Sequence, residues 1–200
     1  MDSGGQYEWG TTDITRTMAI GTPTDEMCEN YTYVLKSHIA LAKQKFPEGT
    51  TGAQIDAITR SGLWNNMMDF AHGTGHGVGC YLSVHEEAAK GISPRGTEAL
   101  KPGMLLSNEP GYYKEGEYGI RIENLVMVKE AGNASTGKLM LEFETVTFAP
   151  YERSLIKADM LSDDEKTWLN DYHQEVYTKL ENDLDQDHKD WLKQQTAPIL

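Results

Sequence analysis

The chain is poor in cysteine, in basic residues and in long apolar runs, and each shortage closes off a class of protein. Only two cysteines occur, Cys28 and Cys80. They form no disulfide framework and show no thiolate ligand spacing, so a reducing compartment, the cytoplasm, is the expectation. Lysine and arginine number 18 against 31 acidic residues, for a formal charge of −13. A surface so acidic disfavours nucleic acid, whose phosphates need a basic face. No apolar run approaches the ~18 residues of a membrane span. No basic-then-apolar leader precedes the first motif, which predicts neither membrane partner nor export. Repeats, low-complexity tracts and linkers are lacking as well. The 200 residues are therefore expected to form one α+β domain with room for a real core.

Glycine, by contrast, is plentiful and placed as punctuation. "DSGGQYEWGTTDITRTMAI" alternates small, polar and β-forming residues around Gly10 and predicts a hairpin. "TPTDEMCENYTYVLKSHIALAKQKF" predicts a helix capped by Thr24, with Tyr31, Leu35, Ile39, Ala42 and Phe46 near helical spacing and "PEG" ending it. Thr51 and Gln54 open a second helix through Ile55, Ile58 and Trp64 as a capping box. "AHGTGHGVGCYLSVHEE" is a glycine-punctuated loop or irregular strand. "KPGMLLSNEPGYY" predicts a strand stopped by Pro110, "YGIRIENLVMVKE" another, and "KLMLEFETVTFAP" a third after a turn at "AGNASTGK". From Ser162, a capping box with Glu165 leads into an apolar stripe of Leu169, Tyr172, Val176, Leu180 and Leu184, which reads as core packing. A shorter helix follows in "LDQDHKDWLKQQTAPIL", so that 162–200 is a helical tail.

Five residues stand out as potential ligands: Asp2, Asp13, His76, Glu109 and Glu123. Asp2 and Asp13 lie eleven apart across the first hairpin, and Glu109 and Glu123 fourteen apart across a second candidate hairpin built on "PGYYKEGEYG". Any one of them alone reads as a turn residue or solvated charge; the combination is what carries weight. Four crowded carboxylates repel and raise one another's pKa values unless cations lie between them. Oxygen-rich ligation with one imidazole suits manganese, cobalt or zinc. A pair of such ions can activate a bridging water and polarise a carbonyl, which is the equipment of a hydrolase. His38, His173 and His188, within predicted helices, read as structural, and Met67 and Met68 as packing residues.

"DSGGQY…GTTDITRT", "HGTGHGVG…VHE", "NEPGYY" and "GIRIEN", in this order, resemble the catalytic domain of the Xaa-Pro aminopeptidases (aminopeptidase P) of the pita-bread metallopeptidase superfamily, in its larger, cytosolic-type branch. The likeness runs through "YTYVLKSHIALA" and the tail. It implies a pita-bread fold over residues 1–200, N-terminally truncated, since relatives carry a first helix and strand, another active-site histidine and preceding domains ahead of this stretch.

The resemblance also implies roles. Asp2 would bind one metal, Asp13 and Glu123 would bridge two, and His76 and Glu109 would complete the ligand set of the second metal. Two manganese ions are usual, with zinc or cobalt as alternatives. A metal-bridged water or hydroxide would attack the first peptide carbonyl, with Glu109 as proton shuttle and His85 stabilising charge at the scissile amide. His72 would line the pocket for a proline in position two, and Tyr113 and Arg121 would support the metal ligands. The partners implied are peptides with proline second, a homodimer partner, and the preceding N-terminal segment as a requirement for activity. "VHEEAAKGIS" departs from the Gly-Pro that commonly follows "VHE" in relatives. A prolidase cutting only dipeptides, a non-catalytic pita-bread binding module and an inactive fragment remain the alternatives. The tail and the nine-residue step from His76 to His85 favour the aminopeptidase.

Overall fold

The computed structural model describes residues 1–81, 83–86 and 91–200. The segment after "VHE" that departs from the family pattern thus falls largely outside the described residues. The N-terminal hairpin joins β1 (Asp2–Tyr7) to β2 (Gly10–Thr15), antiparallel, with Gly4 opposite Asp13 and Asp2 opposite Thr15. Next comes α1 (Asp25–Ala42), whose N-cap Thr24 hydroxyl accepts from the Met27 N–H, with Asp25 and Glu26 set against the positive end of the helix.

The helix stops four residues short of Phe46, contrary to the sequence expectation. Phe46 and Pro47 form a short strand, β3, paired to Leu141 and Met140. For Phe46 itself the cause is local: a residue preceding proline is disfavoured in the α region and driven to extended backbone. The helix α2 (Gly52–Trp64) follows, and Gln54 Oε1 accepts from the Thr51 N–H at 2.9 Å, as the capping box predicts.

The second half is built on strands β4 (Leu105–Asn108), β5 (Gly111–Lys114), β6 (Tyr118–Arg121), β7 (Asn124–Asn133) and β8 (Leu139–Thr145). A four-stranded sheet has the order β3-β8-β7-β4, and β5 with β6 forms a separate hairpin. "YGIRIENLVMVKE" is therefore two strands rather than one. The break falls at Ile122 and Glu123, where the Glu123 N–H turns to the carbonyl of Thr15, and the Ile122 N–H to that of Pro110.

Among the described residues, two apolar clusters fill the interior. α1 gives Tyr31, Val34, Leu35 and Ile39 to one, against Ile120, Ile122, Tyr151, Leu169, Tyr172 and Val176. It gives Leu41 to the other, with Phe46, Ile55, Leu106, Val126, Val128 and Leu141. Each fully buried aliphatic side chain contributes roughly 1.5–3 kcal/mol. The tail stripe lies in the first cluster: α3 (Asp163–Leu180) buries Leu169, Tyr172 and Val176, while Leu180 and Leu184 pack at its margin. α4 (Gln186–Gln195) adds Leu192. Of the two methionines read as packing residues, Met68 is buried, but Met67 is exposed with a left-handed φ of 57°. Its place just past α2 demands a sharp reversal and leaves its side chain in solvent.

Candidate metal centre

The residues between α2 and β4 carry little regular structure, and glycine explains how they still reach the site. A Cβ on Gly75 would lie 1.8 Å from the carbonyl oxygen of Ser107, so only glycine lets this loop lie against β4. The His76 N–H then donates to Ser107 Oγ at 2.9 Å and the Ser107 N–H to the His76 carbonyl at 2.9 Å. His76 is fixed on the sheet by its own backbone.

Its ring is oriented as well. Nδ1 lies 2.9 Å from the Gly77 carbonyl, which an Nδ1–H satisfies, leaving Nε2 to face Asp13 Oδ2 and Glu109 Oε1, each at 3.5 Å. Asp13 arrives from β2. Glu123 arrives from the break before β7, where its Oε2 accepts from the Thr15 hydroxyl at 2.7 Å. Asp13, His76 and Glu123 each offer a ligand atom, all within 4.8 Å of one another. That spacing approaches what ligands around one ion require when each bond is roughly 2.1 Å.

Electrostatics point to the same centre. Burial pushes Glu109 up to about 7, against the lowering influence of His76, Arg121 and Ser107. Burial, reinforced by the charges of Glu109, Asp13 and Asp2, pushes Glu123 up to about 8. His76 is pulled down by burial, but its contacts with Asp13, Gly77 and Glu109 outweigh that and leave it raised. These are carboxylates crowded together with too little positive charge among them. A hard or borderline divalent cation is the group whose charge and oxygen preference fit this donor set.

The other expected site residues surround this core. Asp2 is exposed and meets Arg121 Nη2 at 2.5 Å rather than joining the three converging ligands. Arg121 Nε also donates to Thr15 Oγ1 at 3.1 Å, and its Nη1 to the Tyr113 hydroxyl at 3.2 Å. The Tyr113 hydroxyl lies 2.7 Å from His72 Nε2, and His72 Nδ1 lies 2.8 Å from the Gly73 carbonyl. A polar chain from Asp2 through Arg121 and Tyr113 to His72 thus rims the site. His85 is exposed, its ring edge-on to His76 at a centroid separation of 4.1 Å. His38 and His173 are buried against Tyr151, away from the site, as their structural reading expects.

Sequence reasoning passed over three buried polar residues that hold this arrangement. Arg16 donates to the Glu123 carbonyl, and Asp56 and Arg60 of α2 grip the loop bearing His72. An arginine directly after "TTDIT", and an aspartate and arginine four apart on an otherwise apolar helix face, were the signals available.

Residues 1–130 match the sequence family described as metallopeptidase family M24, and residues 139–199 match the C-terminal region of peptidase M24. A probable Xaa-Pro aminopeptidase P of Coprinopsis cinerea is 50% identical over 205 residues, covering 99% of this chain and 33% of the relative. The chain spans about a third of the length of the curated relatives it matches. Among solved structures, X-prolyl aminopeptidase from Caenorhabditis elegans, described as a cytosolic enzyme with a di-nuclear active site, superposes with a TM-score of 0.92 at 42% identity, over 99% of this chain and 33% of that one. An Xaa-Pro dipeptidase from Bacillus anthracis gives a TM-score of 0.62 at 35% identity, over 76% of this chain and 39% of that one.

Proposed function

This chain belongs to metallopeptidase family M24 and has its pita-bread fold, and from that premise we propose that it carries the catalytic residues of a dinuclear Xaa-Pro aminopeptidase. The reaction is hydrolysis of the bond between an N-terminal residue and a proline in second position. The observation that carries the reading is the meeting of Asp13, His76 and Glu123 within 4.8 Å, with Glu109 beside His76.

In this reading Asp2, Asp13, His76, Glu109 and Glu123 would together hold two divalent ions. Manganese is proposed, with zinc and cobalt as alternatives, because the donor set is mostly carboxylate. Bound, the ions supply an activated water and polarise the scissile carbonyl.

The chain's own residues divide the remaining work. Glu109, half enclosed and held by Ser107 Oγ at 3.2 Å, takes a proton at its carboxylate and returns it to the leaving amine. His85, exposed at the mouth of the site, donates to charge developing at the scissile amide. His72 lines the place of the proline ring, its imidazole pinned between Gly73 and Tyr113. Arg121 steadies Asp2 and Tyr113 together. A cytoplasmic setting and a homodimer belong to the same reading; among the described residues no helix is long and apolar enough to cross a membrane.

The rival is a prolidase, favoured by the likeness to the dipeptidase from Bacillus anthracis. The fuller coverage and higher TM-score with the Caenorhabditis elegans aminopeptidase weigh against it. The deciding experiment loads the full-length protein with manganese and offers Xaa-Pro dipeptides beside Xaa-Pro-Xaa tripeptides. Release of the first residue from the tripeptides is expected, with about two divalent ions bound per chain. Exclusive dipeptide cleavage sinks the aminopeptidase, and a protein that takes up no divalent ion sinks the metallopeptidase.

A further inference from the structure

The loop that carries His72 is irregular from Asp69 to Gly75, yet its backbone is fixed from one side by two buried side chains of α2. Arg60, 5% exposed, forks outward: Nη1 donates to the Phe70 carbonyl at 2.6 Å and to Asp69 Oδ1 at 2.8 Å, and Nη2 donates to the His72 carbonyl at 2.5 Å. Its guanidinium also lies over the Phe70 ring, 3.8 Å from the centroid, and that ring sits 4.8 Å from the His72 ring. Nε donates to Asp56 Oδ2 at 2.9 Å.

Asp56, 3% exposed, uses its second oxygen further along the same loop. Oδ1 accepts from the Thr74 hydroxyl at 2.7 Å and from the Thr74 N–H at 3.3 Å. The Thr74 carbonyl in turn accepts from the Glu109 N–H at 2.7 Å. One ion pair, a single helical turn long, thus holds both ends of the stretch that presents His72 and abuts Glu109. Asp56, Arg60, Phe70, His72 and His76 line one continuous cleft of about 1020 Å³.

A buried ion pair is weak evidence of stabilisation, because desolvation offsets much of its attraction. Here the pair spends its hydrogen bonds on loop carbonyls beside a cleft, and this arrangement has a positional consequence. We propose that Asp56 and Arg60 are positioning residues that fix the His72 ring in the cleft and so set the preference for proline in second position. The inference rests on the peptidase reading above and deepens it: neither residue touches substrate, and both act through His72. Lysine at position 60 keeps the charge opposite Asp56 but cannot supply the planar fork that three backbone and carboxylate acceptors share.

The test uses the manganese-loaded full-length protein and the variants Arg60→Lys and Thr74→Val, the latter removing only the hydroxyl bond to Asp56. Steady-state kinetics are taken on an Xaa-Pro-Xaa and an Xaa-Ala-Xaa tripeptide, manganese stoichiometry by equilibrium dialysis, and amide exchange across residues 69–76. The expected result in Arg60→Lys is a KM for the proline peptide raised about tenfold or more, with kcat changed by less than about threefold. Stoichiometry should stay as in the wild type, protection should fall within 69–76, and discrimination against the alanine peptide should narrow. Thr74→Val should move the same readouts by a smaller factor. Wild-type constants for both peptides in Arg60→Lys overturn the proposal, as does a joint loss of kcat and manganese, which marks a general structural role. If the wild-type protein binds manganese but cleaves neither peptide, the peptidase reading falls. The exchange data then decide the clamp alone, and unchanged protection overturns it.

Discussion

The backbone carbonyl of Glu123 accepts a hydrogen bond from Arg16 Nη1 at 2.7 Å, so a buried cation grips the main chain of one of the three converging residues. The same guanidinium donates to the carbonyls of Thr15, Ala149 and Pro150, to Asn124 Oδ1 and to the Tyr172 hydroxyl, and it stacks 4.6 Å from the Tyr151 ring. Truncation as Arg16→Met leaves buried acceptors unpaired at about 1–3 kcal/mol each, partly relieved by relaxation. A loss of roughly 3 kcal/mol or more in urea unfolding is expected. A midpoint unchanged from the wild type would show that water replaces the guanidinium.

Thr15 acts at the other end of Glu123, through its hydroxyl on Oε2 at 2.7 Å. Thr15→Val keeps the shape and removes the donor that fixes the carboxylate's direction. Manganese affinity should fall about 10- to 100-fold, the usual cost of removing a partner that orients a ligand. Calorimetric titration checks this, and wild-type affinity in the variant counts against Glu123 as a ligand. Chelation gives the companion measurement: the wild-type melting temperature should drop, since a ligand at 100 times its Kd stabilises by about 2.7 kcal/mol.

His38 and His173 make stability depend on pH. Burial, with the charge of Arg16 adding to it, pushes His38 down to about 3. Burial, with Arg153 and Arg16, pushes His173 down to about 4. In the unfolded chain both titrate near ~6.5. Between ~6.5 and ~4 the unfolded state binds protons that the native state excludes. The contribution of the two buried histidines is therefore complete above this window and falls as pH drops through it, at roughly 1.4 kcal/mol per pH unit for each histidine. In urea melts over this range, His38→Gln should decline less steeply than the wild type. Parallel slopes would contradict the assignment.

Gly75→Ala tests the close approach of loop and sheet. The added methyl meets the Ser107 carbonyl carbon at 2.7 Å, a contact that only backbone movement relieves. A destabilisation of roughly 3–5 kcal/mol is expected, with manganese affinity falling in step because His76 is the next residue. Full metal binding in a stable variant would mean that the loop reaches the site by another path.

The parts of this molecule legible in the sequence are those whose meaning is local. Thr24, Thr51 and Ser162 make their helix starts within three residues, and each structural cap agrees with its motif. Asp13, His76 and Glu123 were recognisable because they stand in compact glycine- and proline-marked motifs. Phe46 misled because its helical spacing is overridden by Pro47, whose effect reaches one residue back. Glu123 lies within a continuous β-forming run, and only a crossing by β2, more than a hundred residues away, breaks that run. Arg16 stands out by its place after "TTDIT", but its role does not, because its acceptors on Glu123 and Asn124 lie 107 and 108 residues off. Buried polar residues announce themselves through partners, and a linear reading lists no partners.

The contact between Arg16 and Tyr172 has a bearing on how the chain unfolds. Tyr172 sits on α3, in the stretch matched as a separate C-terminal region, whereas Arg16 and Glu123 belong to the stretch before it. The Tyr172 hydroxyl also serves the Thr147 and Ala149 carbonyls, and His173 beside it accepts the Tyr151 N–H. A boundary drawn between the two matched regions therefore cuts through one connected set of buried hydrogen bonds. Loosening of the last helices would be transmitted through Tyr172 and Arg16 to the strand end that presents Glu123, so the candidate metal centre and the tail are expected to melt together.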